Sequence, residues 1–514
     1  LRFRVKLFEL EAGGKHVIVL HQDDVEELGT HSLGRVRVIY GDKNITAIVN
    51  TTKKVLKRGE IGLYVEVWRS LESPENAEID VEASGFPIST TYIRNRMNGM
   101  RLKYEEIREI INDTVEGNLS DVELTAFVMA LENSTIDMDE ALNLSRAMVE
   151  TGEKLQLKRD IILDKHSIGG VPGDKTTLIV VPIIAACGFA IPKSSSRAIT
   201  SAAGSADKAE VLMNIELEIS EMKRIVEKTN GCITWGGSLN LAPADDILIQ
   251  IEYPLSIDPL LLPSIMSKKK AVGANRLLID LPTGRGSKIK TIGDANLLAR
   301  DFIDLGCKLE IKTQCAITYG EQPIGYTIGS ALEAREALEV ITRRKIVSDL
   351  EDKATSIAGI LLNMCNIKNG LEVAVDILRS GKAESKLREI ISEQGGNPNV
   401  RPDDIPIGDN KLDIKAKRNG FVLWIDNQKI VEIARATGSP KDKGSGIVIH
   451  KKIGNKVCQD DNLFTIYSGK ATKLQRAEKI IEESTVIAVG ERIEMLIGEI
   501  KEESLHMKSF ILER

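Results

Sequence analysis

Between Asp164 and Thr177 the chain reads Asp164-Lys165-His166-Ser167-Ile168-Gly169-Gly170-Val171-Pro172-Gly173-Asp174-Lys175-Thr176-Thr177. Gly169, Gly170 and Gly173 let backbone N–H groups turn inward, Lys165 brings charge, and Ser167, Thr176 and Thr177 bring hydroxyls. Placed ahead of a helix whose N-terminal dipole end is positive, such a set is suited to hold an oxyanion such as phosphate. The segment is neither a Walker A loop nor a GxGxxG fingerprint, and on spacing alone a structural strand-to-helix loop accounts for it equally well. A second polar stretch, Lys193-Ser194-Ser195-Ser196-Arg197-Ala198-Ile199-Thr200-Ser201-Ala202-Ala203-Gly204-Ser205-Ala206-Asp207, directly follows apolar Phe189–Ile191. Its donors therefore fall at the carboxyl end of a strand, where open α/β sheets take their ligands. One Ser-rich loop reads as solvated linker. Two donor-rich loops at successive strand ends favour an anion site.

The elements that must position these loops follow from periodicity. Residues 1–86 alternate or cluster β-branched residues at Leu1–Leu10, His16–His21, Arg35–Tyr40, Ile45–Asn50 and Ile61–Val67, which predicts a small barrel or sandwich closed by Pro87. Residues 87–160 change to a helical period, with three predicted helices at Tyr104–Val115, Ser120–Glu132 and Asp137–Gly152 and a contribution to the same domain from about 240–272. Residues 161–408 alternate short apolar runs with helical stretches, the signature of an α/β domain with a mostly parallel sheet. Residues 409–514 return to β at Gly420–Ile425, Gly446–His450, Asn462–Ser468 and Thr485–Ile487, with one helix near Leu474–Glu483, predicting an α+β domain.

Composition narrows the function. At ~150 residues per domain, 514 residues suggest three or four. Lys and Arg number 69 against 75 Asp and Glu, a net charge of −6, which excludes the basic excess a nucleic acid polymer or anionic membrane would demand. Aromatics are only 4%, too few for stacking on a row of bases. The six cysteines form no CxxC pair, so neither a zinc ribbon nor a disulfide framework is expected, and a reducing cytoplasm is. The apolar run Leu178–Ile191, broken by Pro182, falls short of a bilayer span, and the charged, strand-like N-terminus does not read as a signal peptide.

The first segment resembles the Lys-His-Ser-x-Gly-Gly phosphate motif of the pyrimidine-nucleoside phosphorylase family. Ser195-Ser196-Arg197 through Ser205-Ala206-Asp207 and Glu210 is similar to that family's Ser-Gly-Arg…Gly-Gly-Thr-x-Asp-x-x-Glu signature, Ser264-Ile265-Met266-Ser267-Lys268-Lys269 to its Ser-Ile-x-Ser-Lys-Lys motif, and Pro282-Thr283-Gly284-Arg285-Gly286-Ser287-Lys288 to its Gly-x-Gly loop. All four occur in the family's order, so the resemblance runs from about residue 90 to the C-terminus. It implies an all-α domain, a central α/β domain and a β-rich C-terminal domain. The additional N-terminal β domain resembles the longer branch that includes AMP phosphorylases and some thymidine phosphorylases. Ser196 stands where the shorter members have Gly, and Pro172 is an extra residue in the glycine loop. Ile251-Glu252-Tyr253 occupy the stretch where the pyrimidine enzymes carry a base-recognising Arg, which argues against strict thymidine recognition.

The chemistry so implied is phosphorolysis. Phosphate displaces a base from an anomeric carbon, and an acid of raised pKa protonates the departing base. Asp258, flanked by apolar residues in Tyr253-Pro254-Leu255-Ser256-Ile257-Asp258-Pro259, matches the proton donor; the residues alone equally suit a helix N-cap with Pro259 at the first position, and the roles can coexist. Matching position by position, Gly170, Ser196, Arg197, Ala198, Ile199, Thr200, Ser201, Ser205, Ser264 and Lys288 would line the nucleotide and phosphate site. Lys165, Ser167, Thr177 and Ser195 match phosphate contacts, and Lys268 a substrate-side lysine. The expected reaction converts AMP and phosphate to adenine and ribose 1,5-bisphosphate; the alternative is a thymidine or pyrimidine-nucleoside phosphorylase. No cofactor or metal is expected, and the resemblance implies a homodimer or larger homo-oligomer. A more distant alternative is a magnesium-dependent phosphoribosyltransferase, for which Asp245-Asp246 is the one carboxylate pair in reach, although two acids in a polar turn ordinarily face solvent. Gly454-Asn455-Lys456-Val457 resembles a lipoyl-like turn but lacks an attachment hairpin, so a C-terminal domain of barrel-sandwich shape without the prosthetic group is expected.

Overall fold

Alternating apolar residues at the N-terminus close into a barrel. The computed structural model describes residues 1–198 and 201–491. Going round the barrel, Arg2–Leu7 neighbours Glu60–Leu63, then Val17–His21, Lys43–Thr52, Arg35–Tyr40 and Glu78–Ala83, which returns to Arg2–Leu7. Ile18, Leu20, Val36, Val38, Ile61 and Leu63 fill the interior. The predicted strand Ile61–Val67 is cut at Leu63. Val65–Leu71 is instead a helix that turns Val67 and Leu71, one helical turn apart, into the core.

Arg35 docks this barrel on the next domain, donating from Nε to the Asn118 carbonyl at 2.8 Å and pairing with Glu123. That domain packs Ser89–Met97, Tyr104–Val115, Asp121–Asn133 and Met138–Glu150 with the later helix Pro243–Leu255 around Ile107, Ile110, Phe127, Leu144 and Leu248. The helix Ser89–Met97 adds to the three predicted. It has no apolar stripe because it buries only Ser89, Ile93 and Arg96, the last held by Glu140 at 2.8 and 3.0 Å.

The central sheet is parallel, in the order Lys312–Tyr319, Arg276–Thr283, Leu163–Ser167. A bridge between Ile162 and Ala190 joins it to Ile191–Ser195, which pairs in turn with Gly231–Trp235. The helix Thr177–Ala186 is buried on every side, so its sequence Thr-Leu-Ile-Val-Val-Pro-Ile-Ile is apolar without a stripe. All these strands point their carboxyl ends the same way, which brings loops distant in sequence to one edge.

The last domain has a sheet of Asn410–Lys415, Asn462–Ser468 and Gly446–Ile449 extended by Thr327–Ile328, and a second of Lys456–Val457, Gly420–Ile425 and Ile487–Gly490. Among the described residues it carries two helices where one was predicted. Besides Ala471–Glu482 there is Asn427–Ala436, capped by Asp426 accepting from Lys429 N at 3.0 Å and burying Ile430, Ile433 and Ala434. Among the described residues no helix is long and apolar enough to cross a membrane.

Candidate functional site

The loop after Leu163–Ser167 has Gly169, Gly170 and Gly173 at φ of +80°, +92° and +78°, the left-handed region in which glycine is unstrained. Close approach adds to this at Gly170, where a Cβ would stand 2.4 Å from the Lys288 backbone nitrogen. The glycine loop is thus laid directly on the turn that follows Arg276–Thr283. Gly170→Ala is expected to push the two turns apart at a cost of about 1–3 kcal/mol, raising the KM for phosphate roughly 10-fold. Phosphate titration of initial rates measures it, and an unchanged KM would contradict the apposition.

Lys165 is buried and donates to Thr176 Oγ1 at 2.8 Å, while Thr177 Oγ1 lies 3.4 Å from Ser205 Oγ. Ser167 is half-buried beneath Gly169, whose N–H reaches its hydroxyl at 3.5 Å. Ser195, at the end of its strand, has a buried hydroxyl with no hydrogen-bond partner among the described residues, the kind of group that a ligand oxygen satisfies. Lys165, Thr176, Thr177, Ser195 and Ser205 therefore gather donors from both predicted loops at one sheet edge.

Behind them lies a charged layer that sequence reasoning missed. Asp164 is buried between Lys269 at 2.7 Å and Lys193 at 3.7 Å. Lys353 spans Asp280 at 2.8 Å and Asp174 at 3.6 Å, and Lys208 meets Glu333 at 2.8 Å. Burial lowers the Lys165 ammonium, with Asp174 and Asp280 opposing. Burial brings Lys193 to about 7 against the pull of Asp164, with Lys269 and Lys165 adding to the fall. The His166 imidazole is pushed well below its usual range by burial and by Lys269, Lys193, Lys165 and Lys288, so it stands neutral. Although burial pushes the Asp174 carboxyl up, Lys353, Lys165 and Lys208 hold it well below the ordinary range. Asp164, Asp174, Asp280 and Glu333 offset Lys193, Lys269, Lys353 and Lys208, so the layer anchors Lys165 against Thr176 in the loop and does not build a large positive field. The signal in sequence was the Lys268-Lys269-Lys270 run; only the fold shows that Lys269 points inward.

The second loop is held shut from within. Asp207 accepts from Ala198 N at 2.7 Å and Gly204 N at 2.8 Å, and Gly204 sits so close that a Cβ would be 2.4 Å from the Ser196 carbonyl. Arg197 turns away from the donors: it pairs with Glu210 at 2.8 Å and Glu216 at 3.0 Å and covers the Trp235 ring at 5.0 Å. The C-terminal domain supports the same loop through Ser439 Oγ on the Ala202 carbonyl at 2.8 Å and Arg435 on the Ser201 carbonyl at 3.3 Å. Ile199 and Thr200 lie outside the described residues.

Across the gap, Asp258 sits on a turn between Pro243–Leu255 and Leu261–Ala271. It is not the side-chain cap of the latter helix: the N-cap position is Leu260, with no side-chain cap bond, and Asp258 contributes only its carbonyl, to Leu261 N at 3.2 Å. Its carboxylate faces Lys288 at 3.7 Å, the residue whose backbone touches Gly170. The Asp258 side chain is exposed, 47% accessible, yet the protein around it displaces enough water to push the carboxyl up; Lys288 opposes this, and Asp245 and Glu132 add to it. Ser264 is half-buried in the first turn of Leu261–Ala271, its N–H bonded to the Leu260 carbonyl at 2.8 Å. The predicted solvent-facing turn at Asp245-Asp246 is instead the start of a helix, with Asp245 buried. Lys268 lies 2.7 Å from Asp245 and 2.9 Å from Asp246, so a single lysine already pairs with both carboxylates. That same pairing commits Lys268 to the helical domain.

Residues 159–384 match the model of the glycosyl transferase family a/b domain, 90–152 its helical bundle domain, and 421–488 the pyrimidine nucleoside phosphorylase C-terminal domain. The AMP phosphorylase of Thermofilum pendens is 47% identical over 490 residues, covering 95% of each chain. That of Thermococcus kodakarensis is 45% identical over 505 residues, covering 97% of this chain and all of its own. Among solved structures, anthranilate phosphoribosyltransferase from Thermus thermophilus superposes with a TM-score of 0.51 at 18% identity, over 59% of this chain and 98% of its own, a likeness of fold alone.

Proposed function

We propose that this chain, which belongs to the AMP phosphorylase family, cleaves the N-glycosidic bond of AMP with inorganic phosphate, giving adenine and ribose 1,5-bisphosphate. An oxygen of phosphate bonds to C1′ as the bond from C1′ to the purine nitrogen breaks. The bonding pair leaves with the base, and the Asp258 proton goes to a ring nitrogen of that base. Lys165, Ser167, Thr177, Ser195 and the Gly170 backbone hold the phosphate in line, while Ser196, Ala198, Ser201, Ser205, Ser264 and Lys288 hold the nucleotide. Ile199 and Thr200 belong to the same nucleotide loop in this reading. Arg197 keeps that loop's shape through Glu210 and Glu216, and Lys268 acts through Asp245 and Asp246. The observation that supports this most directly is the chain of contacts from the phosphate loop through Gly170 and Lys288 to Asp258. Closing the helical domain on the α/β domain would exclude water from the oxocarbenium-like centre.

The protein works in this proposal as a cytoplasmic homodimer or larger homo-oligomer, its domains divided near residues 86, 160 and 408 and its C-terminal domain, of barrel-sandwich shape, bracing the serine loop. The test is a phosphate-dependent assay across nucleosides and nucleoside monophosphates. AMP is expected to be turned over, and thymidine cleavage without AMP cleavage would overturn the reading. Lys288→Ala is expected to raise the KM for AMP roughly 10-fold, the scale of one lost charge-assisted contact. Steady-state rates measure this, and an unaltered KM removes Lys288 from the nucleotide site.

A further inference from the structure

Glu252 occupies the last turn of Pro243–Leu255 and is 4% exposed, a burial that a carboxyl on a helix end does not ordinarily undergo without a task. Its main chain and side chain both grip the turn that follows. The Glu252 carbonyl accepts from Ile257 N at 3.3 Å, and its Oε1 accepts from Leu260 N at 3.3 Å. Between these two bonds the chain passes through Ser256 at φ +55° and presents Asp258 at the tip. We propose that Glu252 is the positioning residue for Asp258, clamping the turn that carries the acid and presenting it to the departing base. This rests on the phosphorolysis reading above.

Charge supports the geometry. The groups that face Glu252 are Asp258 on the turn, Asp245 on its own helix and Glu132 on Asp121–Asn133, all acidic, while Lys288 and Lys268 lie beyond them on Asp258 and Asp245. Burial first, and Asp258 next, raise the Glu252 carboxyl to about 8, with the Leu260 N–H opposing. At neutral pH the clamp is therefore uncharged and adds no negative charge where the base leaves with an electron pair. Above about 8 it ionises and opposes that departure.

The experiment compares the full-length parent with Glu252→Gln and Glu252→Ala, recording kcat and KM for AMP from pH 6 to pH 10 (about, within the enzyme's stable range) and thermal midpoints. In the parent, kcat is expected to fall with pH first as one proton is lost and then as two, the second near 8. Glu252→Gln keeps the acceptor oxygen, so its neutral-pH kcat should stay near the parent's while the second step disappears. Glu252→Ala loses the clamp and should lose kcat roughly 10-fold at every pH with KM little changed, the effect of a misplaced acid. A Glu252→Gln variant that retains the second step, or an alanine variant with parental kcat, overturns the inference. If Glu252→Ala fails to fold, the glutamine profile decides alone. A parent that does not cleave AMP with phosphate sinks the phosphorolysis reading instead, so the two failures are distinguishable.

Discussion

Asp258→Asn lowers kcat by about 10²–10⁴-fold, the usual contribution of a positioned general acid, with little change in KM for AMP. Asparagine preserves size and a hydrogen bond to the base but has no acidic proton, so it separates binding from proton delivery. Partial loss of water, Asp245 and Glu132 raise the Asp258 pKa against Lys288, which extends the protonated form to higher pH than an aspartate free in water would hold it. The parent rate therefore falls as pH rises through that pKa, and the Asn variant lacks this limb. Pre-steady-state and steady-state rates across pH measure both effects. A variant that keeps parental turnover removes Asp258 from the reaction.

Lys175→Ala destabilises the fold by about 3–5 kcal/mol, the cost of breaking a buried ion pair from one side. Lys175 is fully buried and donates to Glu336 at 2.6 Å and to the Ile324 and Thr327 carbonyls at 3.0 and 3.1 Å. Glu336 also accepts from Tyr326 N at 2.9 Å, so removing the lysine strands a carboxylate that organises the 324–327 segment. The glycine loop leans on the same segment: a Cβ at Gly173 would lie 2.5 Å from the Ile324 carbonyl. Burial would raise the Glu336 carboxyl, yet Lys175 first, then Lys345 and Tyr326 N–H, hold it at about 2. A depressed carboxylate contributes stability above its unfolded pKa and loses it as pH falls towards the folded value, so the parent should weaken on acidification from about 4.5 towards 2. Urea unfolding at neutral and acid pH tests this. Lys175→Ala should shift the neutral midpoint most and flatten the acid dependence, and a parental midpoint would contradict the role given to the pair.

The phosphate-loop glycines were legible in sequence because the positive φ that demands them is a local constraint; the close approaches of Lys288 and Ile324, far along the chain, were not legible. The charged layer beneath was not. Asp164 and Lys269 are more than a hundred residues apart, and only the parallel register of Leu163–Ser167 with Arg276–Thr283 and the helix before it brings them to 2.7 Å. Asp245 was misread for the same reason. Two acids after a proline look like a solvated turn until Lys268 arrives from another helix to pair with them. Val65–Leu71 deceived differently, since Val-Glu-Val satisfies a period of two over three residues while Val67 and Leu71 satisfy a helical one. The N-cap reading of Asp258 was open in sequence because capping aspartates and catalytic ones share the same local context; the observed cap position, Leu260, removes the side-chain cap.

The central claim is that phosphate itself attacks the sugar. Purified protein incubated with AMP and inorganic phosphate, followed by ³¹P NMR and adenine absorbance, should show inorganic phosphate consumed one for one with adenine released and with a sugar bisphosphate formed. Release of adenine with ribose 5-phosphate and no loss of inorganic phosphate would show hydrolysis in place of phosphorolysis and contradict the account.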